Sequence, residues 1–349
     1  MPKVRERYSK EFLKQRRKSW YFTYAMIAIL IVMVFVILFR QPPDYVVKDG
    51  VILGTHVRLV VSSKYSGRIV DSIFDELRRI DLKFNPYDSR SKIYQLNHSN
   101  GEWIEVDDEI LFVLKKSLYY AELTGGAFDF TLGRLIKLWG FDSENSEKRV
   151  PSRDEIEEAL KHVGYEKVNV SGNKVKLENG VWLDFGGIVK GYAIDRAVQI
   201  AKKIDPKATG FIDAGGDIGI IGPKFGGADW IVGIRDPRGE SQQDTVGVIY
   251  LKEGSVATSG DYERFFVLNG KRYHHILNPK TGYPAEGIIS ATVVADSCID
   301  ADALSTAIFN LGVEYSLIYV PRYGGQIFIV DENQKIYKSK GFSYFEQVH

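Results

Sequence analysis

Leu183-Asp184-Phe185-Gly186-Gly187-Ile188-Val189-Lys190-Gly191-Tyr192-Ala193 carries a short apolar run into two glycines and a lysine at the point where helical spacing begins. The pattern predicts a strand-to-helix turn that holds a phosphorylated ligand. Glycines let the backbone approach a ligand closely, the first helical turn offers unpaired N–H groups at the positive end of its dipole, and Lys190 adds a mobile cation. Asp184, at the strand end, contributes an acceptor or a metal-facing carboxylate. A tight turn followed by a surface lysine would use the same residues, so the segment needs support from elsewhere in the chain.

Upstream, Val168-Asn169-Val170, Lys174-Val175-Lys176-Leu177 and Val181-Trp182-Leu183 read as three brief strands separated by Ser171-Gly172-Asn173 and Glu178-Asn179-Gly180. This meander delivers Asp184 to its turn. Downstream, Ile188 to Lys203 is helical. Val57 to Val61 alternates as a strand, Ser66 to Lys83 and Glu109 to Thr124 repeat apolar residues at helical spacing, and Thr131 to Trp139 is a further short helix. Phe211 to Gly222, Trp230 to Arg235, Val246 to Leu251, Ser255 to Thr258 and Phe265 to Leu268 form a strand-rich stretch. Helix returns at Ile299 to Leu311, and strands near Ser316 to Val320, Gln326 to Val330 and Ile336 to Ser339 close the chain. Runs of strands mixed with single helices predict an α+β fold rather than a regular βαβ repeat.

Composition narrows the function classes. With 44% hydrophobic and 26% charged residues the 349-residue chain can bury a sizeable core. The single cysteine, Cys298, excludes an internal disulfide and any multi-cysteine zinc or iron–sulfur site, and six scattered histidines without HExxH argue against a transition-metal centre. The net charge of +1 is uneven: residues 1–19 hold eight Lys/Arg against Glu6 and Glu11, which makes +6 there and −5 in the remainder. Trp20 to Phe39 follows, twenty residues without a charge, long enough at about 1.5 Å each to span a bilayer core of about 30 Å. The basic flank then predicts a single-pass signal anchor with a cytoplasmic N-terminus and an extracytoplasmic catalytic domain. The expected layout is a leader at 1–19, a transmembrane segment at 20–39, a linker at 40–46 and one domain at 47–346. A basic run beside such a segment argues against nucleic-acid binding.

Three further groups bear on chemistry. On a helix, Asp302 and Thr306 stand at i and i+4, so a carboxylate and a hydroxyl leave one face, as Mg²⁺ would need alongside backbone and phosphate oxygens. Helix capping competes as a role for an early aspartate, and Asp300 suits it better because Asp302 runs directly into apolar residues. Asp129 and Thr131 read as caps for the segment beginning near Leu132, beside a glycine-aromatic shelf at Gly125 to Phe128. Thr258 and Ser259, with His274 or His275, admit a nucleophile reading, although no GxSxG elbow surrounds them. Adjacent histidines on a strand face opposite ways, so one of the two at most serves a site.

These pieces, in order, resemble the ApbE family of FAD:protein FMN transferases. The resemblance runs from about Val51 to Phe345 through Tyr87-Asp88-Ser89 to Leu96-Asn97, Gly126-Ala127-Phe128-Asp129 with Leu138-Trp139-Gly140-Phe141, Leu183 to Asp195, Gly215-Gly216-Asp217, Ala257 to Arg264, His275 to Pro284, and Ala301 to Thr306. It implies largely antiparallel sheets with packed helices, ApbE-like and T-fold-like. It also implies a Mg²⁺-dependent enzyme that joins the FMN part of FAD to a threonine hydroxyl of a partner protein and releases AMP. Residue by residue, it implies metal ligation by the Gly187 carbonyl, Asp302 and Thr306, and FAD contacts at Tyr87, Ala127, Phe128, Asp129, Asp184, Lys190 and Ile276. Gly187 stands where many members have alanine, and Asn278 where many have aspartate, which removes a charge there.

Phosphoryl transfer needs positioning and charge neutralisation above all, which suits this assignment. The base that deprotonates the acceptor is sought among His275, Asp184 and Asp261. An FAD pyrophosphatase, with water as acceptor, needs the same pocket, and a non-enzymatic flavin carrier is the reading from another class. The partner expected is a redox subunit or FMN-binding domain with a threonine acceptor motif. This chain shows no such motif of its own.

Overall fold

The computed structural model describes residues 20–33 and 44–348, apart from 144 and 242. The chain divides into Met1–Asp44 and Tyr45–His349. Of the first unit, residues 20–33 form helix α1. Among the described residues no helix is long and apolar enough to cross a membrane. This corrects the single-pass, extracytoplasmic localisation and the membrane partner expected from the sequence; the expected span also included residues 34–39, which lie outside the described residues.

In the second unit the strands are β1 (Val46–Ile52), β2 (Thr55–Ser62), β3 (Ile104–Glu105), β4 (Val168–Ser171), β5 (Lys174–Leu177), β6 (Thr209–Ala214), β7 (Asp217–Gly222), β8 (Trp230–Arg235), β9 (Thr245–Leu251), β10 (Ser255–Gly260), β11 (Phe265–Leu268), β12 (Lys271–His274), β13 (Ile288–Ala295), β14 (Gln326–Asp331) and β15 (Ile336–Lys338). The helices are α2 (Ser66–Phe84), α3 (Lys92–Asn97), α4 (Asp108–Leu123), α5 (Gly133–Leu138), α6 (Arg153–Leu160), α7 (Val189–Ile204), α8 (Cys298–Leu311) and α9 (Val313–Tyr319). Eight strands make one sheet in the order β1-β2-β6-β7-β10-β13-β14-β15, with every neighbouring pair antiparallel. The smaller sheets β3-β5-β4, β8-β9 and β11-β12 are antiparallel too. The fold is α+β, as the mixed order of elements predicts.

Helices cover one face of the large sheet. α8 lies on β10 and β13, α7 packs beside α8, and α2 packs on α7. The spacing in α2 explains its place: Ile69, Ile73, Leu77 and Ile80 recur every three or four residues and are fully buried. On the other face, Ile234, Ile249 and Leu251 of the β8-β9 hairpin join Val256, Ile289, Val294 and Phe328 in a second core. β13 is therefore buried on both faces along nearly its whole length, which removes the polar alternation that would announce it in the sequence.

Three local readings change. Val181 to Leu183 is no strand, because the Asn97 side chain takes the place of a ladder: its Nδ2 donates to the Leu183 carbonyl at 3.0 Å and its Oδ1 accepts the Leu183 N–H at 2.7 Å. Ser316 to Val320 is not a strand either. Gly312, at φ 76°, ends α8 and opens α9, and Ser316 bonds back to the Gly312 carbonyl through its hydroxyl at 2.7 Å and its N–H at 3.1 Å. Asp129 and Thr131 do not cap α5, whose N-terminus has no side-chain cap. Thr131 bonds Asp129 through both its N–H and its hydroxyl, and its own oxygen accepts the Gly164 N–H, so the pair ties two loops together.

The α7–α8 contact depends on a missing side chain. A methyl at Gly191 would overlap the Cys298 carbonyl and lie 2.7 Å from the Ile299 Cα, both parts of a rigid backbone. Gly191→Ala is expected to cost about 1–3 kcal/mol, the usual penalty of overpacking, read as a lower urea midpoint at unchanged m-value. Gly67→Ala, at a helical position with nothing within 4 Å of the added methyl, should instead leave stability equal or raise it by up to about 1 kcal/mol. Equal midpoints for the two variants would contradict this account.

Candidate functional site

The chain enters its turn already fixed. One residue after the Asn97 clamp, the Asp184 N–H donates to the Phe130 carbonyl at 2.8 Å. The Asp184 carboxylate then accepts the Gly186 N–H at 2.8 Å and the Tyr87 hydroxyl at 2.9 Å. α7 begins behind it with the Ile188 and Val189 N–H groups on the Phe185 carbonyl. Gly186 and Gly187 are not in the left-handed region. What Gly187 provides is room: a Cβ there would lie 3.1 Å from both Thr306 Oγ1 and Cγ2 and 3.4 Å from a Phe128 ring carbon. The turn thus sits directly against α8, over a hundred residues away in sequence.

Lys190, on the first turn of α7, binds Asp217 at the start of β7 and stands 3.4 Å from Asp302 Oδ1 on α8. Asp302 Oδ2 accepts the Gly191 N–H at 2.9 Å, and Asp217 Oδ1 accepts the Thr258 N–H at 3.2 Å. Both carboxylates are buried, at 1% and 2% exposure. Burial works against the Lys190 ammonium, but Asp217 and then Asp302 outweigh it and hold its pKa above the usual lysine value. Burial, with Asp302 as a like charge, pushes the Asp217 carboxyl up against the pull of Lys190. Two carboxylates facing one ammonium leave a surplus negative charge in a water-poor place. A divalent cation would relieve it, and the hydroxyl of Thr306 next to Asp302 supplies a second hard oxygen donor. Among the described residues no three His, Cys, Asp or Glu gather as a metal cage. An ion here would therefore lean on hydroxyl, carbonyl and ligand oxygens, as Mg²⁺ commonly does.

Lys190, Asp302 and Thr306 line a cleft of about 230 Å³. Apolar groups share the lining: Ala127, Phe128, Leu132, Ile136, Ile276 and Leu277. Asp129, Asp184, Gly187, Lys190, His275, Asp302 and Thr306 all line it, so the structure brings together ten of the residues singled out from the sequence. Tyr87 reaches the site through its bond to Asp184. Burial pushes the Asp129 carboxyl up, against hydrogen bonds from Thr131 and Tyr165.

Asp261 lies elsewhere. It is 5% exposed, held in the fork of Arg238 at 2.9 and 2.6 Å, and it lines a second cavity. Both its oxygens are taken up by a guanidinium, and it lines a different cavity from the cleft, which corrects its inclusion among the catalytic candidates. Nor does a hydrolase triad form. Ser259 bonds Ser305 at 2.8 Å and approaches Thr306 at 3.4 Å, while neither histidine is bonded to it.

The histidines divide as strand alternation predicts. His274 is buried; its Nε2 donates to the Ala285 carbonyl at 2.9 Å, so its Nδ1 is the acceptor of the Ile276 N–H at 3.3 Å. His275 faces the cleft, and its Nδ1 donates to the Arg264 carbonyl at 3.2 Å, which leaves the Nε2 lone pair free. Burial, then Arg264 and His274, depress the His275 pKa well below the usual imidazole value.

Sequence reasoning gave Asp217 no role of its own, and it singled out Ser259 only as a candidate nucleophile, not as a bonding partner of α8. Asp217 had a signal, a carboxylate opening the apolar strand Asp217–Gly222, which needs a partner once buried. Ser259 had none, since its role is to bond hydroxyls of a distant helix.

The protein is α+β, with charged and apolar side chains lining one cleft. The chain belongs to the ApbE family, whose model matches residues 53–329. A relative in Treponema pallidum, named FAD:protein FMN transferase, is 35% identical over 300 residues, 78% of this chain and 81% of the relative. One of the same name in Haemophilus influenzae is 29% identical over 282 residues, again 78% and 81%. Among solved structures, the ApbE protein of Thermotoga maritima aligns with a TM-score of 0.84 at 49% identity, over 87% of this chain and all of that one. The apo flavinyl transferase ApbE of Pseudomonas stutzeri aligns at 0.77 and 27% identity, over 88% and 98%.

The His274 geometry makes a pH prediction. Burial lowers its folded-state pKa, so below about 6.5 the unfolded chain takes up a proton that the folded chain resists, and the stabilising contribution is lost as pH falls. The stability gap between wild type and His274→Asn should therefore narrow from pH 7 to pH 5 by up to about 1.4 kcal/mol per pH unit. A gap that stays constant in urea titrations across that range would refute the assignment.

Proposed function

We propose that residues 47–346 transfer FMN from FAD to a threonine hydroxyl of a partner protein and release AMP. The observation that carries this reading is the cleft itself, in a chain whose relatives bear the name FAD:protein FMN transferase. The Lys190–Asp217–Asp302 cluster, its surplus negative charge offset by a divalent cation, suits a pyrophosphate, and the apolar lining that includes Phe128 and Leu277 suits a ring.

Asp302, Thr306 and the Gly187 carbonyl would hold Mg²⁺, which when bound supplies neutralisation of the pyrophosphate charge. Lys190, kept charged by its two carboxylates, binds phosphate oxygens. The Asp184 oxygens are already engaged by Tyr87 and Gly186, so Asp184 orients the turn rather than serving as base. His275 is the proton acceptor: its tautomer presents the Nε2 lone pair, and its lowered pKa keeps the ring neutral near pH 7. The acceptor oxygen bonds to the FMN phosphorus as its proton passes to Nε2. The bond from that phosphorus to the bridging oxygen breaks, and AMP leaves with the oxygen.

The test is to incubate the protein with FAD, Mg²⁺ and a threonine-bearing acceptor domain and weigh the acceptor by mass spectrometry. An FMN adduct is expected, reduced at least 100-fold in rate by Asp302→Ala and by a smaller factor by His275→Ala. FMN and AMP without an adduct would replace the transferase by a hydrolase, and an adduct unaffected by Asp302→Ala would remove the metal assignment.

A further inference from the structure

α8 presents three polar side chains to the cleft at i, i+4 and i+8, namely Asp302, Thr306 and Asn310. Eight residues of helix span about 12 Å, so Asn310 lies at the opposite end of this row from the charge cluster. There its side chain does something neither of the others does. Nδ2 donates one hydrogen to the Ala127 carbonyl at 3.0 Å and the other to the Leu277 carbonyl at 3.2 Å. Two carbonyls can only accept, so the amide orientation is fixed. Oδ1 is left buried without any partner.

We infer that Asn310 is a positioning residue that sets the width of a slot for a planar ring of the dinucleotide, an inference that rests on the FAD reading above. Ala127 opens the Ala127–Phe128–Asp129 shelf and Leu277 follows Ile276, two segments far apart in sequence that both line the cleft. One side chain on a rigid helix holds both segments at a fixed separation. The unpaired Oδ1 strengthens the argument. A buried acceptor without a donor costs about 1–3 kcal/mol, and leucine would fill the same space without that cost. An amide kept under that penalty is kept for its two N–H groups. The residue touches no reacting atom, so its effect belongs in ring binding and not in the chemical step.

The experiment compares wild type with Asn310→Leu, which keeps the volume and loses the donors, and Asn310→Asp, which turns an oxygen toward both carbonyls. Binding of FAD, FMN, AMP and inorganic pyrophosphate with Mg²⁺ is measured by flavin fluorescence or calorimetry, at a temperature where circular dichroism shows each variant folded. Expected is a rise of at least tenfold in the dissociation constant for FAD in both variants, matched for whichever of FMN or AMP carries the ring in the slot. Pyrophosphate binding should stay within twofold, and kcat at saturating FAD within threefold. An FAD constant within twofold of wild type in Asn310→Leu overturns the inference, as does an equal loss of pyrophosphate binding, which would mark a general collapse of the cleft. A wild-type protein that binds no FAD overturns the proposed function itself and the inference with it.

Discussion

The ammonium of Lys190, set between the buried carboxylates of Asp217 and Asp302, is the constraint around which this molecule is arranged. Three charges from α7, β7 and α8 meet where water is scarce, and an error of one or two ångströms would leave an unpaired charge costing several kcal/mol. The surrounding structure fixes each contributor in turn. Gly191 lets α7 lie on the start of α8 and gives its N–H to Asp302. Asp195, one helical turn further along α7, accepts the N–H groups of Cys298 and Ile299 at 2.8 and 3.0 Å and so caps α8 from outside. β7 is held from its partner β10, whose Thr258 N–H satisfies Asp217.

From that constraint follows the division of α8 into two jobs. Most of the helix is buried, sunk between α7 and the sheet. Its one polar row faces the cleft, and the cluster at its N-terminal end and the amide at its C-terminal end are separated by the helix's own fixed rise. Sites on such elements hold their geometry better than sites on loops. The loops that complete the cleft are fixed to this helix and to each other, by Asn310 to Ala127 and Leu277, and by Asp129 and Thr131 to Tyr165 and Gly164.

Much of this was legible in the sequence because local spacing and long-range packing agree. The periodicity of Ser66 to Lys83 and of Ile188 to Lys203 marks α2 and α7 to within a residue or two, and the i, i+4 pair of Asp302 and Thr306 marks the polar row of α8. What the sequence conceals is whatever is decided by a distant partner. β13 has no alternation because both its faces are covered. Val181 to Leu183 has strand composition, yet an amide from α3 takes both backbone groups of Leu183, and Val181 and Trp182 bond Glu178 and Gly133. Asp261 has the same neighbours in sequence as the cleft residues Thr258 to Gly260, but Arg238 draws it to another cavity. A twenty-residue apolar run likewise speaks only of length, and among the described residues no helix is long and apolar enough to cross a membrane.

The same arrangement bears on how the proposed reaction divides its work. An imidazole whose pKa is depressed by burial and by Arg264 is always in the neutral form, but it is correspondingly a weak base. It cannot drive deprotonation of an alcohol by basicity, so the gain has to come from making the phosphorus more open to attack and the departing phosphate more stable. That is the office of the charged lining of the cleft, where Lys190 stays charged because two carboxylates insist on it. A stronger base at position 275 would require a carboxylate partner for the ring, and the backbone carbonyl of Arg264 that stands there instead fixes the tautomer without adding charge. Positioning and electrostatics at the phosphate, rather than proton abstraction, are then where this fold concentrates its catalytic power.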